Sequence, residues 1–580
     1  MKTDRVLTWK IGGLAGGGQK AAGLIFTKAC ARAGLFTFDS SEYPSLIRGG
    51  LVTYRVSVSS DPVNAIYKDT QLLIALTAEA LDYCLPDVTA DGVVLYDSDK
   101  FKPTPAQIKG RKFYALPLEA LAKSAGIKSI AANVIITGAC AALLDFDFKI
   151  LTTVVTESFA EKGKEVVAMN LKALQFGFDY AQNNFQVKDF GYKLKPIEDH
   201  KKPNFFIVTA NDTLALAAVA AGCNYLVSYP MTPASSILHS LADWAEEVGM
   251  IVKQPEDEIG AIHMALGGSF AGARAMTATS GGGFALMVEA LTLAAMTETP
   301  LVIVESQRPA PATGLPTWTE QGDLSFVAHA GHGDFLRIVL APGDPEESFY
   351  LTAQAFNLAE KWQVPVFILL DKYISEAHKS IIDLDESKIT VDRGKMLTNQ
   401  QLAKLSKFLR YQLTKDGVSP RSVPGQPNGL HIANSDEHDE YGFTIEGFNP
   451  QMRNLMMEKR AAKFDGIIED LPEPELIGPA QAKITLIGWG SVKGPIVEAL
   501  KQLPDVNYLH VMAPWPLSES FMRAKIKGVK KLIAIENNQS GQFANLLREA
   551  TGIEVDERLT KYDGAQFFPE EIIDNVNKFL

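Results

Sequence analysis

The 580-residue sequence predicts an α/β protein built from three parallel-sheet domains. The chain is too long for one hydrophobic core, and its length suggests about three to four domains. Short apolar runs alternate with helical stretches, as in parallel strands joined by crossover helices. That alternation is interrupted twice by charged, polar segments that read as boundaries.

Composition narrows the classes of function. At 46% hydrophobic and 21% charged residues the chain is an ordinary globular protein. A net charge of -12 with no long basic run argues against nucleic acid as a partner. No apolar run approaches the ~20 residues of a membrane helix, and the first residues lack the apolar core of a signal peptide. A cytoplasmic protein with no membrane partner is the expectation. Cys30, Cys84, Cys140 and Cys223 lie far apart and form no Cys-x-x-Cys. An iron–sulfur cluster takes thiolates at short spacing, so this chain is expected to hold none itself. The four thiols read as buried and reduced.

The first domain is expected over residues 1–190. Residues 6–11 read as a strand, the run from Gly12 to Lys20 as a glycine-rich turn, 21–33 as a helix and 35–39 as a second strand. Gly16-x-Gly18-x-x-Ala21, with Asp39 some way on, approaches a dinucleotide fingerprint. The competing reading is a close-packed strand-to-helix turn. Gln19 stands where a P-loop requires lysine. In the loop Glu42-Tyr43-Pro44-Ser45-Leu46-Ile47-Arg48-Gly49-Gly50, Arg48 either meets an anion or is solvated. Residues 72–76, 92–96 and 129–137 read as short buried strands.

Charges, a glycine and a proline over residues 188–202 mark the first boundary. The second domain is expected over 204–375, with a helix at 212–221 and strands at 225–229, 300–306 and 364–370. Residues 376–475 read as a connecting region with one helix, 451–465, and 476–580 as a third domain with strands at 483–488, 506–512 and 531–536.

Chemistry concentrates in the second domain. Tyr229-Pro230-Met231-Thr232-Pro233 follows a strand end, where ligands of open α/β sheets sit, and its prolines stiffen the backbone beside Thr232. Glu256, Asp257 and Glu258 open a helix. Acidic residues there also offset the helix dipole, by about 0.3–1 kcal/mol. The helix is nevertheless stripped of side chains at Gly260, Ala261, Ala265, Gly267 and Gly268, which costs stability unless something packs closely. A carboxylate in such a site can hold the ring nitrogen of an aminopyrimidine cofactor.

Glu-Ile-Gly-Ala-Ile-His-Met-Ala-Leu-Gly-Gly (258–268) resembles the glutamate-plus-small-helix signature of pyrimidine-binding domains in thiamine-diphosphate enzymes, with Glu258 on the glutamate. More closely, the chain resembles the α subunit of 2-oxoacid:ferredoxin oxidoreductases with a γ domain fused at its N-terminus. The motifs are Tyr-Pro-Met-Thr-Pro (229–233), Thr-Ala-Thr-Ser-Gly (277–281), Gln-Arg-Pro-Ala-Pro-Ala-Thr-Gly-Leu-Pro-Thr (307–317), Glu-Gln-Gly-Asp-Leu (320–324), Gly-His-Gly-Asp-Phe (331–335) and Asn-Ser-Asp-Glu-His (434–438). The 43–50 loop matches the γ domain.

The resemblance implies a γ-like domain, a thiamine-diphosphate pyrimidine-binding domain and a transketolase-C-terminal-like domain, in that order. It implies that Glu258 activates thiamine diphosphate and that Thr232 touches the substrate or the aminopyrimidine. Pro230, Thr279 and Ser280 would complete the cofactor contacts, and Arg308 and Thr313 would line the substrate side. Relatives often have a basic residue after Leu-Pro-Thr. Here it is Trp318, so the substrate carboxylate falls to Arg308, Arg48 or the partner chain.

A β subunit is implied to supply the diphosphate site, Mg2+ and a [4Fe–4S] cluster. The sequence agrees in having no Gly-Asp-Gly metal motif. The activity implied is decarboxylation of a 2-oxoacid, 2-oxoglutarate first and pyruvate or a branched-chain oxoacid next. Coenzyme A would be co-substrate, ferredoxin the electron acceptor and (αβ)2 the assembly. A nucleotide-dependent dehydrogenase and a non-catalytic scaffold are the other readings.

Overall fold

The computed structural model describes residues 6–46, 49–127, 131–197, 202–445, 447 and 449–580. They form two compact units. One comprises the described residues of Met1–Val208 with Glu376–Asp383 and Phe568–Lys578. The other comprises those of Thr209–Ser375 and Leu384–Phe567 with Phe579–Leu580.

The first unit is built on an eight-stranded sheet in the order Lys112–Leu116, Val88–Asp97, Thr70–Ala75, Leu7–Leu14, Leu51–Ser59, Phe36–Glu42, Lys379–Ile381 and Phe206–Val208. The α/β class holds, but this sheet is mixed. Leu7–Leu14 runs parallel to Thr70–Ala75 and antiparallel to Leu51–Ser59, which is antiparallel to Phe36–Glu42. The cause is connection length. The short link over residues 43–50 cannot make the crossover of a dozen or more residues that parallel neighbours need.

Residues 129–137, expected as a strand, are corrected. Their described part opens the helix Ala132–Leu143, while 128–130 lie outside the described residues. That helix is buried on almost every side, so its apolar run carries no helical periodicity to distinguish it from a strand. It packs backbone-close on the helix Lys164–Asn184: a Cβ at Gly138 would overlap the Leu174 carbonyl, and one at Gly177 the Ile135 carbonyl.

The second unit holds two sheets. Its six-stranded sheet is wholly parallel, in the order Ile338–Leu340, Pro365–Asp371, Leu301–Gln307, Ala275–Thr279, Tyr225–Val227 and Ile251–Lys253. The five-stranded sheet is parallel from Val506–His510 through Ile484–Gly488 and Leu532–Glu536 to Glu557–Thr560, with Glu475–Ile477 antiparallel at one edge. One core runs through both sheets, from Phe284, Ile303 and Phe367 to Ile487, Trp489 and Phe543.

The connecting region departs from the one expected helix: 451–465 is split between Pro450–Ala461 and Phe464–Asp470, and a short helix, Asn399–Ala403, precedes them. Lys459, in the first of this pair, and Lys463, between the two, reach the buried Glu298 at 2.5 and 2.7 Å. A polar segment is thereby anchored to the six-stranded unit by charge as well as by apolar packing.

Candidate cofactor site

The helix Glu258–Phe270 is capped by Asp257, whose Oδ1 accepts the Gly260 N–H at 2.8 Å. That frees Glu258 from the capping role. Its side chain turns inward, leaving the residue only 4% exposed, and its Oε1 has no hydrogen-bond partner. The small residues along this helix divide into two groups by neighbour. Gly268 lies against Tyr225, where a Cβ would come within 2.6 Å of the ring's Cε1, so it serves helix–strand packing. Gly283, in the next helix, faces the carboxylate. A Cβ there would overlap Thr279 Oγ1 and come within 2.7 Å of Glu258 Oε1.

The strand Ala275–Thr279 ends beside this space, and Ser280 starts the helix Gly281–Met296 without capping it through its side chain. Thr277 Oγ1 and Ser280 Oγ are buried and unpartnered, like Glu258 Oε1. Each such atom costs about 1–3 kcal/mol if left unsatisfied. The orphaned Glu258 Oε1 beside the bare Gly283 fits a flat polar heterocycle that brings a donor. The aminopyrimidine of thiamine diphosphate, with ring nitrogens and an exocyclic amine, is such a group.

The 229–233 segment follows the strand Tyr225–Val227, the neighbour of Ala275–Thr279 in the sheet. Thr232 is half-buried, and its carbonyl accepts a 2.8 Å hydrogen bond from Arg308 Nη1. Two of the predicted substrate-side residues are therefore in contact. Thr313 is exposed on the turn beyond Arg308, where Gly314 (φ 53°) folds tightly onto the Pro309 carbonyl. Pro230 is half-buried and Thr279 fully buried. Arg48 lies outside the described residues. Trp318 is half-buried, packed against Gly564, and supplies no charge at its position.

Sequence reasoning missed the acidic groups beneath this site. Burial holds Glu305 well above the ordinary carboxylate range, raises Asp323 to about 6 and Asp371 to about 6, and lifts Glu320 to about 7. The signal was present in the strand Leu-Val-Ile-Val-Glu-Ser, where one carboxylate interrupts a fully buried run.

The glycine-rich turn of the first unit lines a separate cavity of about 550 Å³, together with Asn133 and Lys162. Gly18 (φ 79°) begins the helix Gln19–Arg32 and has Asn133 Nδ2 2.8 Å from where its Cβ would stand. Asp39 is unavailable to a ribose. It is buried and engaged by Tyr54 Oη at 2.5 Å, Thr27 Oγ1 at 3.2 Å and the His378 N–H at 2.8 Å. The dinucleotide reading thus loses its acidic partner. All four cysteines are free and buried, and burial pushes Cys140 and Cys223 up to about 12. Among the described residues no group of three or more His, Cys, Asp or Glu could hold a metal, and no helix is long and apolar enough to cross a membrane.

Comparison with known proteins gives the family of the chain. Residues 216–457 match the family "Pyruvate flavodoxin/ferredoxin oxidoreductase, thiamine diP-bdg", and residues 8–180 match "Pyruvate ferredoxin/flavodoxin oxidoreductase". The chain is 32% identical to 2-oxoacid:ferredoxin oxidoreductase 2, subunit alpha, of Aeropyrum pernix, over 98% of this chain and 97% of that one. It is 34% identical to the 2-oxoglutarate synthase subunit KorA of Methanothermobacter thermautotrophicus, over 64% of this chain and 98% of the relative. Among solved structures it superposes on the 2-oxoglutarate:ferredoxin oxidoreductase of Magnetococcus marinus, solved with 2-oxoglutarate, coenzyme A and succinyl-CoA bound. The TM-score is 0.93 at 31% identity, covering 99% of both chains.

Fold and site thus define an α/β oxidoreductase subunit with a thiamine-diphosphate-binding domain. Within that class the chain belongs to the α subunits of the 2-oxoacid:ferredoxin oxidoreductases, which are parts of a multi-subunit enzyme.

Proposed function

We propose that the chain, with a β subunit, converts 2-oxoglutarate and coenzyme A to succinyl-CoA and carbon dioxide while reducing ferredoxin. Two electrons go to ferredoxin and one proton is released for each oxoacid anion consumed. The observation that carries the reading is the buried, unpartnered Oε1 of Glu258 beneath the glycine step at Gly283. Bound thiamine diphosphate would supply the carbanion chemistry that breaks the bond to the carboxylate.

This chain's residues bind, orient and exclude water. Glu258 holds a proton at the pyrimidine ring nitrogen, in a site where burial strengthens the hydrogen bond. Pro230, Thr279 and Ser280 fix the ring's position. Thr232 and Thr313 orient the oxoacid, and Arg308 takes its carboxylate, with Arg48 a second candidate. The diphosphate, Mg2+ and a [4Fe–4S] cluster belong on the β subunit, in an (αβ)2 assembly working in the cytoplasm. Residues 1–190, 204–375, 376–475 and 476–580 serve as the γ-like, pyrimidine-binding, connecting and transketolase-C-terminal-like segments.

The names of the M. thermautotrophicus relative and the M. marinus structure favour 2-oxoglutarate over pyruvate or a branched-chain oxoacid. The test is coenzyme A-dependent viologen reduction by the co-purified subunits against a panel of oxoacids. A kcat/KM for 2-oxoglutarate at least about tenfold above the others is expected. A preference for pyruvate would overturn the substrate, and no turnover with any oxoacid would overturn the function.

A further inference from the structure

Glu305 stands near the carboxyl end of the strand Leu301–Gln307 with no solvent exposure, level with Thr279 on one neighbouring strand and Leu369 on the other. Neither of its oxygens receives a hydrogen bond. An ionised carboxylate in that position would be far more costly than a neutral one, so the group keeps its proton. A neutral carboxyl has an O–H to donate. Asp323 lies on the same face of this strand, where its N–H donates to Gln307 Oε1 at 3.0 Å two residues beyond Glu305, and its carboxylate is the nearby acceptor that acts on Glu305. Asp323 abuts the glycine step that opens the next helix, where a Cβ on Gly281 would overlap its Oδ2. Its charge also acts on Arg308, the residue bonded to the Thr232 carbonyl. The other charged groups facing the pair are Asp371, at the end of the neighbouring strand, and Glu320, in the segment leading to Asp323.

We propose that Glu305 and Asp323 share one proton and act as a positioning pair for Arg308. Carrying a single negative charge, the pair balances the guanidinium without capturing it, which leaves Arg308 able to receive a substrate carboxylate. The proposal rests on the reading of Arg308 as the oxoacid's contact. The pair itself does no chemistry on the substrate, and only a proton moves, between two carboxyl oxygens.

Above about 6, where Asp323 ionises, the pair holds one proton. When pH rises far enough to remove the proton from Glu305, the doubly charged pair draws Arg308 inward, and the KM for the oxoacid rises. Glu305→Gln retains a donor toward Asp323 but has nothing to lose at high pH.

The experiment uses the purified two-subunit complex. Infrared spectroscopy at neutral pH should show the carbonyl stretch of a buried protonated carboxyl that shifts in D2O and is absent from Glu305→Gln. The KM for 2-oxoglutarate should climb about tenfold on the alkaline side in the native complex and stay flat in Glu305→Gln, with kcat far less affected in both. An infrared spectrum and a KM profile both unchanged by Glu305→Gln would overturn the pair. An Arg308→Gln complex whose KM is native, with the infrared band intact, would instead sink the substrate-site reading and leave the shared proton standing.

Discussion

Glu258 opens its helix but is not solvated like most first-turn carboxylates, whose interaction with the dipole is worth about 0.3–1 kcal/mol. It is buried with an oxygen left unpartnered, which costs more than the dipole returns and makes sense only if a ligand supplies the donor. Glu258→Gln is therefore expected to lower turnover by about 10²–10⁴-fold, measured as viologen reduction at saturating oxoacid, while the melting temperature of the ligand-free chain stays level or rises. This residue was legible in the sequence because the helix it opens is stripped of side chains, a cost that a dipole role for the acid does not explain. Glu305 was not, because one carboxylate in a run of apolar residues is absorbed into the reading of a buried strand. The contact between Arg308 and Thr232 was also hidden: it runs through a backbone carbonyl, and sequence spacing says nothing about carbonyl direction.

The glycines of the helices Glu258–Phe270 and Gly281–Met296 separate packing from function. Gly283→Ala would fill the space beside Glu258 Oε1 and is expected to reduce thiamine diphosphate affinity at least about tenfold, read by calorimetry on the two-subunit complex. Gly268→Ala instead forces the Tyr225 ring aside, and should lower stability by about 1–3 kcal/mol in denaturant titrations. The sequence shows that both helices are poor in side chains, but not which glycine faces a ring and which faces a carboxylate. Connection lengths explain the mixed first sheet: the 43–50 link already demanded an antiparallel pair, whereas the direction of Leu7–Leu14 against Thr70–Ala75 needed the fold. The helix Ala132–Leu143 escaped because a helix apolar all round has no face to betray it.

At the scale of the whole molecule, the alternation of strands and helices was enough to give the α/β class, and collinear motifs were enough to give the family. What ties the polar connecting segment to the second unit was not visible, because Glu298, Lys459 and Lys463 are distant in sequence. The two lysines hold the Glu298 carboxyl well below the ordinary range, against the opposing effect of burial. A depressed glutamate contributes stability above its unfolded value and loses it as pH falls toward the folded one. Lys463→Met is thus expected to cost about 3–5 kcal/mol near neutral pH, by leaving Glu298 short of a partner, and the deficit should shrink in acid as Glu298 takes up a proton. Urea titrations at several pH values check this.

In the proposed function, Glu258 serves a site that the chain shares with a partner. The most direct test is coenzyme A-dependent viologen reduction with 2-oxoglutarate, run side by side on the native chain alone, the native two-subunit complex and the Glu258→Gln complex. Turnover confined to the native complex, with the variant down by at least about 10²-fold, is the result expected. Native-like turnover by the Glu258→Gln complex would contradict it.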